Sequence, residues 1–211
     1  MQAPHLPSPR VPTHSWFKER TLLLRRFWEK GTSVATLWPS SQRLARMMVD
    51  RINFKTASSI VELGVGTGPI TAAVAKRLHP DCRYLGVELD EELHAYAKKR
   101  FPQMNIVLAD AADLPQLMEE HDMPAADAIL TGLPIPSIPK EPQRRILHGA
   151  AAVMKEGAPW LQITALGGFL QYYRNRFDEV IRHWVPHFPY PTGGFYECRG
   201  VRDQVVGSAP K

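Results

Sequence analysis

Along this chain the spacing of apolar positions switches repeatedly between the period of a strand and that of a helix. Ser59-Ile60-Val61-Glu62-Leu63 is a short β-branched run, as expected of a buried strand. Gly64, Gly66 and Gly68 then break the run at every second position, and Pro69 opens an amphipathic stretch through Ile70, Ala73, Val74 and Leu78. A strand over 60–63, a tight loop and a helix over 69–78 are predicted. The alternation continues with strand 84–88, helix 90–100, strand 106–109, helix 113–121, strand 126–131, helix 142–154 and strand 160–165. Beyond these, Gln171–Trp184 reads as a helix, and Phe188–Tyr190 with Phe195–Val201 as a hairpin turned at Thr192-Gly193-Gly194. Ahead of them, Trp16, Phe17, Leu23, Leu24, Phe27 and Trp28 share one face of a helix over 16–30, and Ser40 or Ser41 caps a second helix over Gln42–Ile52. Strands alternating with helices imply a parallel, doubly wound α/β sheet.

With 211 residues, 44% of them hydrophobic, the chain can bury one substantial core. No apolar run approaches the ~18 residues of a membrane span. Pro4, Pro7, Pro9 and Pro12 mark Met1–His14 as a flexible lead without the apolar segment of a signal peptide, so the cytosol is the expected compartment. Two cysteines, Cys82 and Cys198, make neither a disulfide framework nor a metal site. The net charge of +5 is concentrated at the start. Arg10, Lys18, Arg20, Arg25, Arg26 and Lys30 face only Glu19 and Glu29 within the first 30 residues. A basic arm of this kind calls for an anionic partner, phospholipid or nucleic acid. Its apolar face suits a membrane interface and equally suits packing on the domain.

Alternate glycines let a backbone adopt positive φ and let a ligand approach the main chain. Pro69 stands where a dinucleotide fingerprint needs glycine, and the lysine and hydroxyl of a phosphate loop are missing. Glu62, just before the loop, would repel a pyrophosphate but suits a ligand carrying positive charge. Glu88 ends the second strand 22 positions after Gly66, close to the roughly 20-residue spacing at which a carboxylate meets ribose hydroxyls. Asp110 ends the third strand. Three successive strands thus deliver acids to the carboxyl edge of the sheet, where ligands of such folds bind. Helix capping is a second reading for Glu88 and Asp110, and the two roles are compatible.

Glu62-Leu63-Gly64-Val65-Gly66-Thr67-Gly68 resembles the E-x-G-x-G-x-G motif of class I S-adenosylmethionine-dependent methyltransferases. The resemblance implies a Rossmann-like α/β fold with a mostly parallel seven-stranded sheet, helices on both faces, and an N-terminal amphipathic helix. It implies S-adenosylmethionine as cofactor, with Glu62, Gly64, Gly66 and Gly68 around its methionine portion. Glu88 would then take the ribose hydroxyls, Asp110 and the Ala111 amide would read adenine, and Gly132 would touch the amino-acid end. The layout expected is a lead over 1–14, N-terminal helices over 15–58 and a methyltransferase domain over 59–211. More narrowly, Pro39-Ser40-Ser41-Gln42-Arg43-Leu44-Ala45-Arg46-Met47-Met48 is similar to a segment ahead of the glycine motif in bacterial phospholipid N-methyltransferases. Nucleobase amine methyltransferases resemble N-P-P-Y or N-L-P-Y after the fourth strand. This chain has Thr131-Gly132-Leu133-Pro134-Ile135 instead, similar to the S-G-L-P of the phospholipid enzymes.

The expectation is therefore methyl transfer to the amine of phosphatidylethanolamine and its partly methylated forms, at the inner face of the cell membrane. The arm over 15–30 would sit on anionic phospholipid; nucleic acid is not the expected partner. The Gly132 or Leu133 carbonyl would orient the amine, with Tyr172 beside it. Trp38, Ser40, Ser41, Pro134, Tyr172, Tyr173 and Arg174 would meet the lipid, the tyrosines and arginine through its phosphate and aromatic faces through the methylated ammonium. His94 and His148 sit on predicted helices and read as surface or packing residues. Two other readings stay open: an rRNA adenine dimethyltransferase, and a non-catalytic membrane module that has kept the cofactor pocket.

Overall fold

The structure is a computed structural model and describes residues 42–164, 169–185 and 193–202. The helix expected over 16–30 lies outside the described residues, as do Trp38, Ser40 and Ser41. Among the described residues, seven strands form one sheet. β1 (Ser59–Leu63), β2 (Arg83–Glu88), β3 (Ile106–Leu108), β4 (Ala128–Thr131) and β5 (Trp160–Thr164) run parallel. β7 (Gly193–Val201) lies antiparallel between β5 and β6 (Phe177–Val185), so the order is β3-β2-β1-β4-β5-β7-β6. β1 has β2 on one side and β4 on the other, and the order reverses there. A crevice at the carboxyl ends of the strands is the ligand position such a reversal creates.

Side chains alternate across each strand, and both faces of this sheet are covered. Ile60, Leu130 and Leu161 pack with Met48 and Val49 of α1 (Gln42–Val49), Ile70 and Val74 of α2 (Pro69–Ala75), and Ala97 of α3 (Glu91–Arg100). Leu63, Ile129 and Trp160 pack on the other face with Leu114 of α4 (Leu114–Glu120), Leu147 of α5 (Lys140–Val153) and Tyr173 of α6 (Leu170–Arg174). The elements fall where the apolar period places them, with ends shifted by a few residues.

One stretch differs in kind. The helix expected over Gln171–Trp184 stops at Arg174, and Phe177–Val185 is a strand. It pairs with β7 in unbroken register from Phe177 opposite Val201 to Val185 opposite Gly193. β6 thus pairs with β7 where the hairpin arm at 188–190 was expected to, and residues 188–190 lie outside the described residues. Phe177, Val180 and Ile181 suit a pleated surface, and pairing with β7 overrides their helical spacing.

A buried polar cluster ties the first two strands to α2. Glu62 is fully buried, and its Oε2 accepts from Tyr84 Oη at 2.6 Å and from Thr71 Oγ1 at 2.8 Å. Oε1 is also buried and has no partner among the described residues. Burial pushes the Glu62 carboxyl up to about 8, against the lowering effect of the Tyr84 and Thr71 hydrogen bonds. A carboxyl with its folded-state pKa above its unfolded one binds its proton more tightly in the native chain. Its contribution to stability therefore declines as pH rises from the ordinary 4.5 to about 8, and is level above that. Unfolding free energy should fall through this window at up to ~1.4 kcal/mol per pH unit for one proton. Glu62→Gln should flatten the slope, as denaturant titrations at the two ends of the window will measure.

Candidate functional site

The loop between β1 and α2 is built on left-handed backbone. Gly64, Gly66 and Gly68 have φ of 75°, 57° and 78°, a region open to glycine at little cost. Gly68 lies against the Phe101 ring, which a Cβ there would strike. At Gly66 a Cβ would meet nothing within 4 Å, so the middle of the loop faces open space. The loop is held from three sides. Gly66 N donates to Glu88 Oε2 at 2.7 Å, Arg100 Nη1 donates to Thr67 O at 2.8 Å, and Gly64 N donates to Val87 O at 2.8 Å.

Glu88 stands at the end of β2, and its Oε1 accepts from Asp90 N at 3.0 Å. It caps no helix. Asp90 caps α3 through Glu92 N and Leu93 N, and Glu88 keeps lone pairs for a ligand. Burial raises its carboxyl above the ordinary range. Asp110 takes the capping role also anticipated for it, with Oδ1 accepting from Ala112 N at 2.9 Å, and Ala111 beside it is buried. Ala109 N donates to Glu88 O at 3.0 Å, which draws the end of β3 towards Glu88. Leu89, directly after Glu88, is 69% exposed, a large apolar surface at the carboxyl edge. The apolar residue following the strand-ending acid is the signal that would have found it.

The loop after β4 closes the other side. Gly132 N donates to Leu63 O at 3.0 Å, and a Cβ on Gly64 would come within 2.6 Å of Leu133 Cδ2, so Leu133 lies over the first glycine. Thr131 Oγ1 accepts from Leu133 N at 3.0 Å. Pro134 precedes a single 3-10 turn, Ile135–Ser137, which Gln143 braces by donating to Ile135 O at 2.7 Å. Glu62, Gly64, Gly66, Gly68, Glu88, Gly132 and Leu133 thus converge where the strand order reverses.

Three expected roles do not survive. The Leu133 carbonyl cannot orient an amine, because it already accepts from Ile135 N at 2.9 Å and from Gln162 Nε2 at 2.7 Å, which uses both lone pairs. Tyr173 is a core residue rather than a substrate contact. It is 1% exposed, its ring packs on Tyr196, Phe177 and Tyr172, and burial pushes its hydroxyl far up. Tyr172 is half-buried beneath the Arg176 guanidinium, 3.6 Å from its ring centroid, so that face is already occupied. Arg174 is exposed at the end of α6, a helix that packs on β6. Sequence reading missed Thr71 and Tyr84, which hold Glu62, Arg100 and Phe101, which hold the glycine loop, and Gln162.

A donor with a purine, ribose hydroxyls and a charged amino-acid end fits these residues: a carboxylate with free lone pairs beside the loop, open space above Gly66, and an apolar edge at Leu89. Residues 60–157 match the family model described as a methyltransferase domain. The chain is 38% identical over 190 residues to the ornithine lipid N-methyltransferase of Singulisphaera acidiphila, a match that spans 88% of this chain and 98% of that one. Among solved structures, an O-methyltransferase from Bacillus cereus in complex with SAH superposes with a TM-score of 0.60 at 14% identity, covering 92% of this chain and 93% of that one. The O-methyltransferase TomG from Streptomyces achromogenes, in complex with SAM, gives 0.60 at 15% identity with the same coverage. With its glycine loop, its strand order and a relative matched across nearly its whole length, the chain belongs to the class I S-adenosylmethionine-dependent methyltransferases.

Proposed function

We propose that the chain methylates the primary amine of a membrane lipid head group, with ornithine lipid preferred and phosphatidylethanolamine as the second candidate. The observation that carries this reading is the loop after β4. From Thr131 to Ile135 it offers no side-chain amide and no aromatic ring, only Leu133 folded onto Gly64 and a proline-stiffened apolar turn. Base–aromatic stacking is worth ~1–3 kcal/mol per base, so a wall without it suits an alkyl amine better than a flipped nucleobase. The relative from Singulisphaera acidiphila, with ornithine lipid in its name, supports the same choice.

In this reading Glu88 holds the ribose hydroxyls, and Gly64, Gly66, Gly68 and Glu62 Oε1 surround the methionine portion. Asp110, the Ala111 amide and Leu89 frame the adenine, and Gly132 closes the amino-acid end. When bound, S-adenosylmethionine supplies an electrophilic methyl group on a sulfonium. The chain's own task is to bring a neutral amine to it in a set geometry, which can remove several kcal/mol from a barrier. An alkylammonium resembles lysine, with pKa ≈ 10.4, and desolvation against Leu133 and Pro134 lowers that value.

The route for a bilayer molecule lies along the same edge. Register carries Thr164 at the end of β5 across Gly194 to Trp184, so Trp184 and its stacked Arg182 stand at the carboxyl edge of the sheet. Trp184 is 52% exposed, and exposed Phe169 precedes α6. The basic arm over 15–30 and this rim would together hold the chain on the inner membrane face. Among the described residues no helix is long and apolar enough to cross a membrane.

Radiolabelled S-adenosylmethionine, offered with liposomes of ornithine lipid or phosphatidylethanolamine or with RNA, should label lipid and leave RNA blank. Label in RNA alone overturns the reading, and label in neither points to a binding module. Glu88→Ala should weaken S-adenosylhomocysteine binding about tenfold or more by calorimetry. Deleting residues 1–30 should reduce sedimentation with anionic vesicles; unchanged sedimentation would assign the arm to packing alone.

A further inference from the structure

We infer that Gln162 supplies the acceptor that holds an N–H of the substrate amine, an assignment that rests on the lipid-amine reading above. Gln162 lies on β5 opposite Thr131, the residue that leads into Gly132, and is 1% exposed. Its Nε2 donates to Leu133 O at 2.7 Å and to Ile163 O at 2.9 Å. A side-chain amide has two donors on nitrogen and one acceptor oxygen. With two carbonyls on the nitrogen side, the opposite flip would set oxygen against oxygen, so the orientation follows from the partners.

Oε1 is thereby turned away from both carbonyls. It is buried, and no donor among the described residues reaches it. Trp160, on the same face of the strand two residues earlier, leaves its own Nε1–H unmet and does not supply the missing bond. An unmet buried acceptor is destabilising, and leucine at this position would not carry one. Oε1 shares its amide group with the nitrogen that grips Leu133, the residue lying over Gly64, so the unmet oxygen is one amide group away from the loop that borders the crevice.

A ligand N–H satisfies this oxygen. The amine that donates to Gln162 keeps its lone pair free to form the N–C bond as the C–S bond breaks, with the sulfur retaining that electron pair. The surplus proton on nitrogen then leaves to water. Gln162 is neutral throughout and takes no proton, so it holds the substrate and is not a base. The contact also reads the methylation state. A primary amine carries N–H groups to offer, and a trimethylated ammonium carries none.

The test measures binding of two short-chain lipids that differ only in the head-group nitrogen, primary amine or trimethylammonium, to the full chain saturated with S-adenosylhomocysteine. The wild-type chain should prefer the primary amine. In Gln162→Met that preference, the ratio of the two dissociation constants, should shrink about tenfold. Thr131→Val loosens the same loop by removing the Leu133 N–H acceptor while leaving Gln162 Oε1, and should weaken both lipids equally. If Gln162→Met does not fold, Gln162→Asn, which withdraws the oxygen by one methylene, should shrink the ratio in the same direction. An unchanged ratio in the folded variant overturns the assignment and leaves Gln162 as a brace for Leu133. Binding of neither lipid by the wild-type chain overturns the lipid reading and the assignment together.

Discussion

The hydrogen bond from Gly66 N to Glu88 Oε2, 2.7 Å long, joins the turn after β1 to the end of β2, and the arrangement of the site depends on it. A loop with three left-handed glycines has many conformations in isolation, and its ordering cost has to be met by its surroundings. Glu88 fixes the middle of the loop, Arg100 and Phe101 fix its far side, and Leu133 lies across its start. The same carboxylate that orders the loop keeps lone pairs free, so in the reading proposed above loop order and cofactor recognition share one residue.

Beneath the loop, Glu62 does something different from what its place in the motif suggests. Its Oε2 is taken by Tyr84 and Thr71, which locks α2 against the first two strands, and only Oε1 remains for a ligand charge. A carboxyl in so dry a place holds its proton to about pH 8. If Glu62 meets the donor's ammonium as proposed, folding stability and the charge it offers are linked through one titration.

Across the crevice the acceptor side is dry as well. The Leu133 carbonyl is saturated, and Thr131 spends its hydroxyl on the backbone. What remains there is apolar surface and the buried Gln162 Oε1, which has no partner among the described residues. In the reading proposed above, such a wall suits the alkyl arm of a lipid amine and lowers the pKa of its ammonium by desolvation, and Gln162 Oε1 orients it.

How much of this was legible without coordinates follows from the range of the interactions. The glycine spacing, the acids at or near the ends of β1, β2 and β3, and the apolar periods were sufficient for the parallel sheet and its glycine loop, because each depends on residues within one βα unit. β6 was misread as a helix because its structure comes from pairing with β7, which outweighs local period. Tyr173 read as a ligand contact and proved to be core, since aromatic chemistry alone does not say which face of the sheet it will meet. Arg100, Tyr84 and Gln162 act through partners 33, 22 and 29 positions away, so only the packed sheet could bring them to the glycine loop, to Glu62 and to Leu133.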